Sequence, residues 1–397
     1  MTTRTVPSAL IAVLALLTGI APLATDMYVP GLPDLSRTLG TSPSVAQLSM
    51  TAFLVGVVAG QLVLGPVSDG TGRRRVLLAG SALFAVSSLA CALAPSIEVF
   101  NAARLCQGIT GAAGIVVSRA VITDLFAGAA AARKFSALAA ITSAAPVLAP
   151  VLGGAILSVA SWRAVFAALA VAGVLQVAGV LLWVPESLPA GRRTPARPVA
   201  ALRAMARLCR RPALAGRVLS LCFGGAAIFL YLAGSTFVFA DVAGASPGLV
   251  SVVYGVNALG SLAGSVLCGR LVTRFGTGAL LRAGITTACA ASAVMLILLA
   301  VTGAHLAVLW AGLFLVVTAF GLYFPAVTAA AQEAGRDAPG ATSALPGGGQ
   351  FLLGGAVAPA VGLFGTGSAV PLAALLTGCL LLATAAAHAK VPTPQWA

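Results

Sequence analysis

Gly65-Pro-Val-Ser-Asp69-Gly-Thr-Gly72-Arg73-Arg74-Arg75 is a short polar break between two apolar runs. Outward from it, stretches of about 20 apolar residues, enough to cross ~30 Å of hydrocarbon, recur along the chain. Twelve are legible: 8–30, 45–64, 76–95, 99–122, 135–160, 163–184, 214–237, 248–268, 279–302, 305–328, 343–365 and 368–388. The 397 residues are 59% hydrophobic and only 8% charged, with a mean hydropathy of +1.05. A water-soluble fold of this length cannot hide so much apolar surface, so lipid is the expected solvent.

The charge behind the formal net +14 sits mostly in the gaps between runs, which points to membrane topology and away from nucleic acid. With the N-terminus inside, 19 basic residues fall on the cytoplasmic side and only Arg37 and Arg163 on the other; Arg104 and Arg119 lie within the fourth run. Both termini are therefore expected in the cytoplasm of a bacterial inner-membrane protein; arginine outnumbering lysine 21 to 2 hints at a GC-rich bacterial genome and says nothing of function. The Arg4-led first run is too long for a cleaved leader and reads as the first span. Seven scattered cysteines with no CxxC pair support neither a disulfide framework nor a metal site.

The opening stretch has an echo. Gly65 and Gly72 recur as Gly269 and Gly276 in Gly269-Arg-Leu-Val-Thr273-Arg-Phe-Gly276, 204 residues later. Ala149-Pro150-Val-Leu-Gly153 recurs as Ala358-Pro359-Ala-Val-Gly362. Matching features in matching spans indicate an all-α membrane protein of twelve transmembrane helices in two pseudo-symmetric six-helix bundles. The bundles would be residues 1–190 and 213–397, joined by a basic cytoplasmic linker, 191–212, with the substrate expected between them. In the linker, 199–211 puts Leu202, Ala206 and Cys209 on one helical face and Arg203, Arg207 and Arg210 on another. An interfacial helix and a solvated basic connector both fit that pattern.

Leu23-Ala-Thr-Asp26-Met-Tyr-Val-Pro30 closes the first span with a carboxylate about one turn inside the apolar slab. An isolated charge there costs about 2.5–3.5 kcal/mol on insertion scales, so it tends to persist with a partner or a job. Span 4 runs the opposite way, and Arg104 lies about as far from its outer end, roughly 6–8 Å below the surface at the helical rise. The two can meet; an arginine stays charged while a carboxylate can take up a proton, which makes a switch. Snorkelling of both groups to headgroups is the plainer reading.

Several motifs resemble a known family. Gly65-x-x-x-Asp69-x-x-Gly72-Arg73-Arg74 resembles the cytoplasmic loop signature of the major facilitator superfamily. Arg104-x-x-Gln107-Gly108 is similar to the span-4 motif of its proton-driven antiporters, and Ala145-x-x-x-Ala149-Pro150-x-x-Gly153-Gly154 to their span-5 motif, with two glycines replaced by alanine. Thr25-Asp26-Met27-Tyr28-x-Pro30 and Ser118-Arg119-Ala120 with Asp124 further resemble the drug-resistance branch associated with bicyclomycin and chloramphenicol efflux. The resemblance implies proton coupling through Asp26 and Arg104. It also implies a cytoplasmic gate of Gly65, Asp69, Gly72, Arg73, Arg74, Arg119 and Asp124, with Gly70 where the family often has arginine. A static turn with solvated charges is the alternative, and exposed pairs are often worth only about 0–1 kcal/mol. Pro146, Pro150, Gly153 and Gly154 would form a hinge in span 5, or simply pack it. Thr18 stands where some relatives carry a second acid.

Polar and aromatic residues inside spans are candidates to line the substrate cavity with Asp26: Gln61, Gln107, Tyr231, Tyr254, Asn257, Tyr323 and Gln350. Each could equally be helix–helix glue. Enzyme chemistry fails on inventory. Lys134 and Lys390 begin no phosphate loop, and Gly244-Ala-Ser246-Pro-Gly248 lacks the strand–turn–helix setting of a hydrolase serine, with His305 and His388 at span ends. The expectation is a cofactor-free, monomeric, proton-coupled exporter of small amphiphilic drugs or antibiotics, driven by the proton gradient and working by alternating access. Transport of a natural metabolite, such as a sugar or a self-made antibiotic, and a non-transporting receptor or regulatory subunit are the alternatives.

Overall fold

The structure is a computed structural model that describes residues 8–126, 134, 138, 145, 148–193, 212–303, 305–334, 339–364 and 367–389. Every regular element among them is helical. In chain order they are α1 (Ser8–Asp26), a 3-10 turn (Val29–Gly31), α2 (Leu32–Thr38), α3 (Pro43–Thr71), α4 (Arg73–Leu93), α5 (Ile97–Leu125) and α6 (Leu148–Leu157). Then follow α7 (Trp162–Trp183), α8 (Pro212–Ala243), α9 (Pro247–Thr302), α10 (Leu306–Ala334), α11 (Pro339–Val357), α12 (Ala360–Phe364) and α13 (Val370–His388). Nine stretches among the described residues are long and apolar enough to cross a membrane, and the 55-residue one holds two of the expected spans. The shorter helices 148–157 and 348–364 fall in spans 5 and 11. Pro146 and the proposed interfacial helix 199–211 lie outside the described residues.

The outward faces show what solvent these helices are built for. On α4, Leu83, Val86, Leu89 and Leu93 are 49–70% exposed, while Leu77, Phe84 and Cys91 on the opposite face are fully buried. A helix apolar on both faces has lipid on its outer side.

The structure shortens the loops expected from the sequence. Gly65 remains helical within α3, and only Gly72 turns, at φ +108°. Likewise Gly269 is helical and Gly276, at φ +74°, is the single non-helical residue inside α9. One left-handed glycine suffices to reverse the chain because it has no Cβ to clash.

The internal repeat runs deeper than the two echoes. Gly56, Gly60, Gly65, Gly72 and Gly80 are each followed 204 residues later by a glycine: 260, 264, 269, 276 and 284. Their surroundings match as well. A Cβ at Gly60 would run into the Ile109 carbonyl of α5, and one at Gly264 into the Thr318 carbonyl of α10; from the other side, Gly108 faces the Phe53 carbonyl and Gly321 the Ser261 carbonyl. Two crossings therefore have backbones in direct contact, a packing that only small residues permit.

By their contacts the described helices fall into two compact units, residues 1–34 with 52–198, and residues 35–51 with 199–397. In the first, α4 packs on α5 and α7, and α1 on α5 and α7; in the second, α9 packs on α10 and α13, and α8 on α11 and α13.

Gly60→Val and Gly264→Val should each lower the yield and thermal midpoint of detergent-solubilised protein, by about 1–3 kcal/mol of overpacking or more. Gly269→Ala, with nothing within 4 Å of the new methyl, should leave both unchanged.

Candidate functional site

The last turn of α1 leaves carbonyls with no donor in their own helix. Ala24 is one of them, and Arg104 Nη1, from the first half of α5, donates to it at 3.1 Å. A cation at a helix C-terminus also meets the negative end of the helix dipole. The same Nη1 donates to Gln107 Oε1 at 2.6 Å, Gln107 Nε2 donates to Ser88 Oγ at 2.7 Å, and Ser88 Oγ to the Phe84 carbonyl at 2.7 Å.

Around this chain of bonds the guanidinium is walled by aromatic rings. Its carbon lies 4.5 Å from the Tyr28 centroid, 4.3 Å from Phe53 and 5.6 Å from Phe166. These rings belong to a larger cluster, in which Tyr28 packs on Phe166 at 5.4 Å and Phe100 meets Phe166 and Trp162 edge-on at 5.1 and 5.3 Å. Arg104 is 0% exposed, and ring faces offer a desolvated cation about 2 kcal/mol or more each at best. Nε and Nη2 of Arg104 have no hydrogen-bond partner among the described residues.

Asp26, the final residue of α1, is buried, and Arg104 is the charge that acts on it. The two are coupled through space and are not hydrogen-bonded to each other, because the Arg104 bonds go to Ala24 and Gln107. Both groups are enclosed by the protein. Of the span-5 residues, Pro150, Gly153 and Gly154 are buried, and a Cβ on Gly153 would strike the carbonyl of Met27, the residue after Asp26.

A second constellation surrounds Gly72. Arg73 Nη1 pairs with Asp69 at 2.6 Å and donates to Ser68 Oγ at 2.6 Å, and its Nε donates to Asp124 Oδ2 at 3.1 Å. Two residues the sequence reading missed complete it. Glu186 Oε1 accepts from the Arg73 backbone N–H at 2.9 Å, capping α4, and Ser187 Oγ donates to Asp124 Oδ2 at 2.9 Å. In return, Arg74 Nη2 donates to the Leu181 carbonyl at the end of α7, at 2.7 Å. A Cβ at Gly72 would push the Glu186 carboxylate aside, and the φ of +108° is what requires glycine there. Arg119 is exposed and stands outside this set.

In the second unit, Asn257 Nδ2 donates to Tyr231 Oη at 3.0 Å and its Oδ1 accepts from Trp310 Nε1 at 3.2 Å. Tyr254 stacks edge-on with Tyr231 at 5.1 Å and donates to the Leu232 carbonyl at 3.0 Å. Tyr323 is fully buried against Ser220 (2.9 Å). Gln350 is half-buried against Gly225, and Gln61 is half-buried on α3. Three of the seven polar candidates are thus brought together with Trp310, and Gln107 joins Arg104.

The whole chain can be set beside known proteins. The family model of the Major Facilitator Superfamily matches residues 14–359. The chain is 39% identical to an uncharacterized MFS-type transporter, YdgK, of Bacillus subtilis, over 93% of this chain and 92% of that one. It is 29% identical to a bicyclomycin resistance protein homolog of Haemophilus influenzae, over 68% of each chain. A chloramphenicol resistance protein of Pseudomonas aeruginosa is 32% identical over 67% of this chain and 62% of its own. In fold it resembles the crystal structure of a D-xylose-proton symporter, with a TM-score of 0.74, 17% identity and coverage of 97% and 98%. A match over nearly the full length, on helices apolar enough to cross a bilayer many times, identifies the chain as a member of the Major Facilitator Superfamily, a multi-pass membrane transporter and not an enzyme.

Proposed function

We propose that this transporter exports small amphiphilic drugs or antibiotics across a bacterial inner membrane in exchange for protons. The observation that carries the reading is the enclosed Asp26 beside a caged Arg104 with two unused donors. The guanidinium cannot lose its proton at any physiological pH, so protonation of the site falls to the carboxylate. With Asp26 ionised, the site is near neutral and the two charges attract across the end of α1. With Asp26 protonated, a cation is left uncompensated except by ring faces and two oxygens. That change of one charge, in a low-dielectric setting, is large enough to bias a two-state transporter. A proton entering down a potential of 100 mV brings about 2.3 kcal/mol.

The proteins of similar sequence named for bicyclomycin and chloramphenicol resistance support a drug substrate over a sugar. The Asn257–Tyr231–Tyr254 group, with one amide among aromatic faces, suits an amphiphilic compound better than a multivalent ion. Arg73, Asp69 and Asp124 would act as a cytoplasmic lock that opens and closes once per cycle, with both termini in the cytoplasm, the proton gradient as energy source and the monomer as the working unit.

In an efflux-deficient host, the protein should raise resistance to at least one amphiphilic antibiotic, and a protonophore should abolish the gain. Asp26→Asn should remove proton-driven accumulation in everted vesicles while leaving the protein folded; unchanged accumulation would sink the proposal. Arg104→Lys keeps the charge and loses the planar fork, so transport should fall by roughly tenfold or more, consistent with losing ~1.5–3 kcal/mol of charged hydrogen bonding. Asp124→Asn should slow turnover with little effect on apparent substrate affinity, read as a drop in maximal rate at near-constant half-saturation.

A further inference from the structure

The interruption in span 11 leaves backbone groups that the helix itself cannot serve. Pro359 has no N–H, so the Gly355 carbonyl loses its usual donor. Thr51 Oγ1 donates to that carbonyl. Ser44 Oγ donates to the Pro359 carbonyl at 3.2 Å, and the Gly362 N–H donates to Gln47 Oε1 at 3.2 Å. The other end of the same amide, Gln47 Nε2, donates to the Ala233 carbonyl of α8 at 3.2 Å. Ser44, Gln47 and Thr51 follow one another at helical spacing along one side of α3. Gln47 is 0% exposed, and a Cβ on Gly362 would lie 2.5 Å from the Ser44 backbone nitrogen. All of these residues lie in the second compact unit.

A permanent contact at this depth is more simply made from apolar side chains, because a buried amide costs free energy unless both of its ends are bonded. Here both ends are engaged, on the backbones of two different elements. We propose that Ser44, Gln47 and Thr51 form a releasable latch on the span-11 break, at the end of the spans that the charge asymmetry assigns to the outer surface. When the latch withdraws, the Gly355 and Pro359 carbonyls and the Gly362 N–H have to be taken up by water. Opening is therefore tied to solvent entry at that end, and a dry, half-open intermediate is disfavoured. The break at Pro359 and the three side chains act as one device: without the break, the carbonyl of Gly355 would need no visitor from α3.

The test uses the full-length chain with its seven cysteines replaced and Ala233→Cys as reporter, since Ala233 is fully buried beside the latch. In right-side-out vesicles, a membrane-impermeant maleimide should label the introduced thiol slowly. Gln47→Ala and Thr51→Val should each speed labelling by roughly three- to tenfold, the equivalent of one or two ordinary hydrogen bonds. Thr51→Ser keeps the hydroxyl and should label at the parent rate. Parent-rate labelling in both Gln47→Ala and Thr51→Val overturns the latch, as does Thr51→Ser labelling as fast as Thr51→Val. If Gln47→Ala does not accumulate in the membrane, Ser44→Ala takes its place, with the same increase expected and the same null result decisive. Labelling needs neither drug nor proton gradient, so its outcome is separate from that of the export assays.

Discussion

A guanidinium with no exposed surface, inside a helix bundle built for lipid, is the constraint on which the first unit depends. Arginine cannot answer desolvation by becoming neutral, as a lysine can by giving up a proton or a carboxylate by taking one up. The fold has to supply the compensation, and it does so from three sources. The end of α1 offers an orphan carbonyl and the negative pole of its dipole, Gln107 offers an amide oxygen three residues along the same helix, and Tyr28, Phe53 and Phe166 offer ring faces. Each source fixes a backbone. α1 must end near Asp26, α5 must cross α3 closely enough for Phe53 to reach, and α7 must present Phe166 from the other side. The bare glycines at 56, 60 and 108 allow that closeness.

The same crossing was kept when the bundle was duplicated, while the charge was not. Gly260, Gly264 and Gly321 reproduce the contact of α3 with α5 between α9 and α10, yet among the described residues no arginine is buried at the C-terminal crossing. In its neighbourhood the polar content is neutral: Asn257 bonded to Tyr231 and Trp310. The two crossings thus share a scaffold and differ in their polar neighbours. A ring-walled cation sits at one, and an amide bonded to a phenol and an indole lies near the other. This division follows from cost, since a second caged cation would need a second set of rings and carbonyls.

Much of this was legible in the sequence because hydrocarbon imposes simple rules. Span count and repeat follow from apolar length and glycine spacing, and equal depth along spans 1 and 4 is what placed Asp26 and Arg104 near one another. Three things were not legible, each for a physical reason. Phe53 and Phe166 look like ordinary lipid-facing or core aromatics, since nothing in a linear pattern tells a ring that faces a cation from one that faces leucine. Glu186 and Ser187 follow α7 more than 110 residues after Arg73, and only the fold brings that tail to the Gly72 turn. The loop at 65–72 reads as a turn because Gly and Pro break helices in water. In α3, Pro66 is carried within the helix, and the reversal waits for the one residue with positive φ.

Polar side chains within the spans sort by what they bond. Thr18, Thr25, Thr110, Thr318 and Thr328 each donate to a carbonyl four residues back in their own helix. Such a bond satisfies the hydroxyl locally and ties it to nothing that moves. Arg104, Thr51, Gln47 and Ser44 instead reach the backbone of another helix, and they do so where that helix ends or is broken by proline. A backbone group orphaned by a helix end must find a partner in every state the protein visits, so a side chain that serves it in one state marks a place where states differ. Where proline and glycine interrupt a span, the functional residue is accordingly sought on the neighbour that repairs the interruption, and less on the interrupted helix itself.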